Sequence, residues 1–177
     1  MPRLMPVVTA LLAVTLGGCR TMIPATDTTP PRVELTITGP GIGRQVMTNP
    51  PRSEWTGSGG AQLFEVQPRA RYNFTLAVSD SGGVARAHLR MPATFTVSDL
   101  SPAGVTNTAD ALSRSLTLLG NRDDPRTGLV IGGTFETPAA GGLSFGFQAE
   151  GDDFGGTSGG RNQAFLSVNA SVGLPVP

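Results

Sequence analysis

The sequence predicts an all-β sandwich, and three observations carry that reading. Apolar residues recur with period two in segment after segment, as at Val33, Leu35 and Ile37, at Tyr72, Phe74, Leu76 and Val78, and at Ala85, Ala87, Leu89 and Met91. Such alternation sets one face of a strand in a core and the other in water. Glycine (24) and proline (15) are abundant and fall between those segments, so they read as turns. No stretch shows the 3.6-residue period of an amphipathic helix of useful length. Eight or nine strands with closely spaced turn signals make an antiparallel β-sandwich.

The chain opens with "MPRLMPVVTALLAVTLGG". Arg3 precedes an uncharged apolar run from Leu4 to Leu16, which falls short of the about 20 residues a membrane span needs. A charged start, a short apolar run and small residues after it describe a secretory signal peptide over residues 1–18. A cut by an ordinary signal peptidase after Gly18 would place the bulky Leu16 where a small side chain is required. "LGGC" (Leu16 to Cys19) resembles instead the lipobox of bacterial lipoproteins. That resemblance implies cleavage before Cys19 and acylation of its thiol and amine. A diacyl plus amide-linked chain exceeds the two signals that stable anchoring requires. Cys19 is the sole cysteine, so no internal disulfide framework exists. The following residue is Arg20 rather than Asp, which in lipoproteins favours the outer membrane.

Removing residues 1–18 from 177 leaves 159, one domain's worth and enough to bury a core. The full chain has 13 basic residues, all arginine, against 13 acidic ones. That balance argues against nucleic acid or a polybasic lipid contact, which would need a positive face. Residues 19–31, ending "RTMIPATDTTPP", read as the lipidated cysteine and a proline-rich tether. The β-sandwich domain is then expected over 32–177.

Along that domain Val33–Ile37 forms the first strand, and Ile42 and Val46 mark a weaker second after a Pro-Gly turn. Residues 48–60, "TNPPRSEWTGSGG", read as an open loop. "AQLFEV" resumes an extended pattern, followed by the two clearest alternations, at 72–78 and 85–91, and by Phe95 and Val97. Residues 99–113 are less regular and accommodate a helical turn near Thr108 to Leu112, with Thr108 as its cap. Strands resume at Leu116 and Leu118, at Leu129, Ile131 and Phe135, at Leu143, Phe145 and Phe147, and at Leu166, Val168, Ala170 and Val172.

Two stretches carry a family resemblance. "DTTPPRVELTITGPGIGRQV" (Asp27 to Val46) and "YNFTLAVSDSGGVARAHLRM" (Tyr72 to Met91) resemble the opening strands and turns of bacterial immunoglobulin-like domains. The resemblance implies an immunoglobulin-like sandwich used as a spacer, adhesion module or binding appendage, with no catalytic residues to carry over.

The inventory of reactive groups points the same way. Nucleophilic triads need a base beside the nucleophile, and His88 is the sole histidine. It lies between Arg86 and Arg90 on the polar face of its strand, where positive neighbours disfavour its protonation and metal binding. "EGDDFGGTSGG" places Glu150, Asp152 and Asp153 in a glycine-marked turn. With loop carbonyls they could supply some of calcium's six to eight oxygens, although ordinary turn chemistry accounts for them. No cofactor beyond the covalent lipid on Cys19 is expected. Trp55 lies in an arginine- and glycine-containing loop with Arg52, where an indole stacks on a sugar, fills a partner's pocket or plugs the sandwich. The expected protein is therefore a lipid-anchored, non-catalytic binding or assembly module of the cell envelope. Its partner is a protein or a glycan, met through loops or through the Arg86/His88/Arg90 strand face. The alternatives are a carbohydrate- or peptidoglycan-binding lipoprotein using Trp55, and a hydrolase with a carboxylate site.

Overall fold

A computed structural model describes residues 21–49, 63–139, 142–156 and 160–173. Among them are eleven strands and no helix: β1 (Arg32–Gly39), β2 (Gly43–Thr48), β3 (Leu63–Val66), β4 (Arg71–Ser79), β5 (Val84–Pro92), β6 (Thr96–Ser101), β7 (Thr106–Ala109), β8 (Ser113–Leu119), β9 (Gly128–Glu136), β10 (Ser144–Asp153) and β11 (Gln163–Val172). They build two sheets, one ordered β2-β1-β4-β9-β6 and the other β3-β11-β10-β5-β8-β7. The all-β sandwich is therefore the fold, with more strands than the eight or nine expected. It is also not wholly antiparallel, because β3 pairs parallel to β11.

Alternation fixes which side chains meet between the sheets. Val33, Leu35 and Ile37 of β1 are fully buried, as are Leu76 of β4, Ala87 and Leu89 of β5 and Ile131 of β9. A column of rings fills one half of the core. Phe135 stacks on Tyr72 at 5.3 Å and on Phe95 at 5.2 Å between centroids, and meets Phe147 of the opposite sheet at 5.5 Å. Ring pairs at these separations add to what their area burial contributes. Elsewhere the sheets approach more closely: a Cβ on Gly151 of β10 would lie 2.5 Å from Val78 Cγ1 and 3.0 Å from Val33 Cγ2.

Two segments depart from the sequence reading. The helical turn expected near Thr108 to Leu112 is absent. Thr108 and Ala109 end β7, and Asp110 closes the hairpin to β8, its carboxylate accepting from the Leu112 and Ser113 amides at 2.8 and 2.7 Å. These bonds, with the Ser113 hydroxyl, hold the Asp110 carboxyl below its ordinary range. β7 escaped notice because all four of its residues are exposed, and a polar edge strand has no hydrophobic period. The second departure is at the N-terminus. Residues 21–31, expected as a free tether, lie against the sandwich. The Thr21 amide donates to Pro125 O at 3.1 Å and its hydroxyl to Ser81 O at 3.1 Å. Asn162 Nδ2 donates to Asp27 O at 2.9 Å.

Candidate functional site

The outer face of the six-stranded sheet collects the strand residues singled out from the sequence. Arg86, His88 and Arg90 point outward from β5 because their neighbours Ala87, Leu89 and Met91 are buried. Register then sets their company. Arg86 stands opposite Asp152 of β10, His88 opposite Glu150 and Arg90 opposite Gln148. On the other flank β8 sets Leu119, Thr117 and Ser115 against the same three residues. Beyond β10, Phe165 of β11 stands opposite Glu150 and is 49 % exposed.

Ion pairs organise this face. Arg86 reaches Glu150 Oε2 at 3.0 Å through Nη2 and Asp152 Oδ2 at 2.8 Å through Nε. His88 Nδ1 lies 3.3 Å from the same Glu150 oxygen. The Asp152 side chain is only 4 % exposed, so its partner offsets a substantial desolvation cost. Arg90 is exposed at the end of the row. The result is a pre-ordered polar surface with an aromatic ring beside it.

The three acids grouped by sequence do not converge. Glu150 and Asp152 face outward to Arg86. The register of β10 on β5 shifts between Asp152 and Asp153, which turns Asp153 toward the end of the sandwich. There its carboxylate accepts from the Asn162 amide at 2.8 Å and from Asn162 Nδ2 at 2.7 Å.

Asp153 meets different company, Asp27 of the N-terminal segment and Asp80 of the β4–β5 turn. One carboxylate oxygen from each of the three lies within 4.8 Å of the others, with Asp80 and Asp153 buried. Asp80 Oδ2 accepts from the Gly82 amide at 2.6 Å. A side chain on Gly82 would collide with Asp27 Oδ2, so glycine here admits the N-terminal segment. Burial, above all, pushes the Asp80 carboxyl up to about 6, and the charges of Asp27 and Asp153 push the same way against the Gly82 amide. Such a cluster can share a proton, or hold a hard cation if further oxygens join it. An open cavity of about 460 Å³ lies beside Asp80, lined also by Thr29, Arg32, Ser79 and Thr127. Asp27 and Asp80 escaped the sequence reading because positions 27, 80 and 153 share no spacing or period. Only the fold brings their turns to one end.

Cys19, Arg52 and Trp55 lie outside the described residues. Among the described residues, no helix is long and apolar enough to cross a membrane.

No protein-family model and no curated protein matches the chain. Solved structures of similar shape include a cohesin module from a family 33 glycoside hydrolase of Clostridium perfringens. It is 10 % identical with TM-score 0.42, covering 63 % of this chain and 91 % of that one. A non-cellulosomal cohesin from the archaeon Archaeoglobus fulgidus is 11 % identical with TM-score 0.38, covering 78 % and 91 %. AggA, the major subunit of aggregative adherence fimbriae type I of Escherichia coli, is 10 % identical with TM-score 0.39, covering 84 % and 98 %.

Proposed function

We propose that the protein is a lipid-anchored, non-catalytic binding or assembly module of the bacterial cell envelope, held at the outer membrane through Cys19. In this reading it meets a protein partner with the outer face of its six-stranded sheet. One observation carries the assignment of the face: Arg86, His88, Glu150 and Asp152 are already locked into one network beside the exposed Arg90 and Phe165. Arginine and aromatic side chains dominate interface energetics. A surface ordered before contact loses little side-chain entropy on binding. The lipid concentrates that face at one surface, which strengthens weak contacts without adding new ones. A non-catalytic role is supported by the placement of the sole histidine, His88, which stands on an open strand face among ion pairs rather than beside a nucleophile.

The test is co-purification of the full-length protein from its own envelope, with mass spectrometry of its mature N-terminus and of what accompanies it. The expected result is acylated Cys19 and a stoichiometric protein partner that Arg90→Glu with Phe165→Ala removes. A partner retained by that double variant would refute the assignment to this face. A glycan retained in its place would refute the protein partner.

A further inference from the structure

Resting on the lipid-anchor reading, we infer that the domain is seated directly on the bilayer by one defined end, with no free spacer. The seat is a lipid headgroup surface, and the end that meets it carries Met22, the Ser81–Gly82 turn and the Asn121–Pro125 turn.

The inference begins with Thr21. Its amide and hydroxyl are bonded to Pro125 O and Ser81 O, and six residues on, Asp27 is held through its carbonyl by Asn162. The segment that should lift the domain is thus bound to it at both ends. Cys19 precedes Thr21 by two residues, which span at most about 7 Å even when extended. The Cys19 backbone therefore lies within that distance of Thr21, and the two turns that bind Thr21 come to the headgroups with its lipid. Met22 is 88 % exposed at the same end, an apolar side chain three residues from the anchor.

Charge adds no attraction of its own. Arg122, Arg126 and Arg161 at this end, with Arg20 beside the anchor, are outnumbered by the carboxylates of Asp123, Asp124 and the Asp27/Asp80/Asp153 cluster, and Arg126 pairs with Asp124 at 2.8 Å. Seating should thus gain nothing from anionic lipid, unlike that of a polybasic surface. Orientation follows from topology. β4 and β5 run nine residues each between the seated end and the far one, about 30 Å. The β7–β8 turn with Leu112, 84 % exposed, lies at the far end. The Arg86/Arg90 face then stands beside the membrane normal, open to a neighbour in the same membrane.

The test uses the full-length lipidated protein in vesicles of phosphatidylethanolamine and phosphatidylglycerol with a headgroup-nitroxide lipid. Single fluorophores are placed at Met22→Cys, Asp123→Cys or Leu112→Cys. The expected result is several-fold stronger quenching at positions 22 and 123 than at 112, and no weaker when phosphatidylglycerol is left out. Thr21→Pro, which removes the amide as well as the hydroxyl, with Asn162→Ala should collapse the contrast by releasing the segment. Equal quenching at all three positions of vesicle-bound, acylated protein would overturn the seating and leave the anchor standing. An unmodified Cys19 with no vesicle binding would overturn both.

Discussion

Tyr72 joins two turns through one oxygen. Its hydroxyl accepts from the Gln67 amide at 2.8 Å and donates to Pro40 O at 3.1 Å, while its ring is buried against Phe135. Tyr72→Phe keeps the ring and strands both backbone groups, so it should destabilise the fold by about 1–3 kcal/mol in urea unfolding. An unchanged midpoint would mean that water replaces the hydroxyl. Asp80 gives a pH signature. Its carboxyl is raised to about 6 in the folded protein from an ordinary 3.8, so the folded state binds that proton more tightly than the unfolded chain. The associated stability is fully present below about 3.8 and is lost as pH rises through about 6. Thermal unfolding in chelator should therefore show a melting temperature that falls across that window, and Asp80→Asn should remove this part of the fall. A slope identical in the variant would contradict the assignment. Asp80 was legible in the sequence only as a turn residue, because its raised value depends on burial and on two acids distant in the chain.

The β5–β10 pair shows what an alternating pattern can and cannot reveal. The outward set of Arg86, His88 and Arg90 follows from period two alone. Their partners depend on register, which the sequence of one strand does not contain. The shift between Asp152 and Asp153 was equally invisible, and it separates two adjacent aspartates into unrelated environments. β7 fails for the opposite reason, since a fully exposed edge strand offers no pattern. Three predictions belong to this pair. Arg86→Met leaves the Asp152 carboxylate buried without its cation. The cost should be about 2 kcal/mol, below that of a fully buried pair because Arg86 keeps part of its side chain in water. Asp152→Leu added to Arg86→Met should recover most of it in denaturant titrations, whereas additive losses would show that the pair is not coupled. Arg90→Ala, on the exposed end of the row, should shift stability by no more than about 0.5 kcal/mol. Gly151→Ala tests this close approach of the sheets and should cost about 1–3 kcal/mol through overpacking; an unperturbed melting temperature would show that β10 shifts to make room.

At the scale of the whole molecule, the strands and their inward residues were readable because a sandwich core imposes one simple period. The docking of residues 21–31 was not, because a proline-rich segment looks alike whether it is free or bound. Its hydrogen bonds to Pro125, Ser81 and Asn162 turn an expected tether into part of the body. An anchor at Cys19 would then fix which way the polar sheet face points. The proposed function comes down to whether that face, rather than the opposite sheet or the loops, meets a partner. The direct measurement is photo-cross-linking in the intact envelope from a probe at Arg90 or Ser167 on the six-stranded sheet and, as control, at Thr36 on the five-stranded one. A discrete cross-linked protein from positions 90 and 167, absent from 36, is the predicted result. Cross-links from position 36 alone, or none from either face, would contradict the assignment of the six-stranded face as the partner-binding surface.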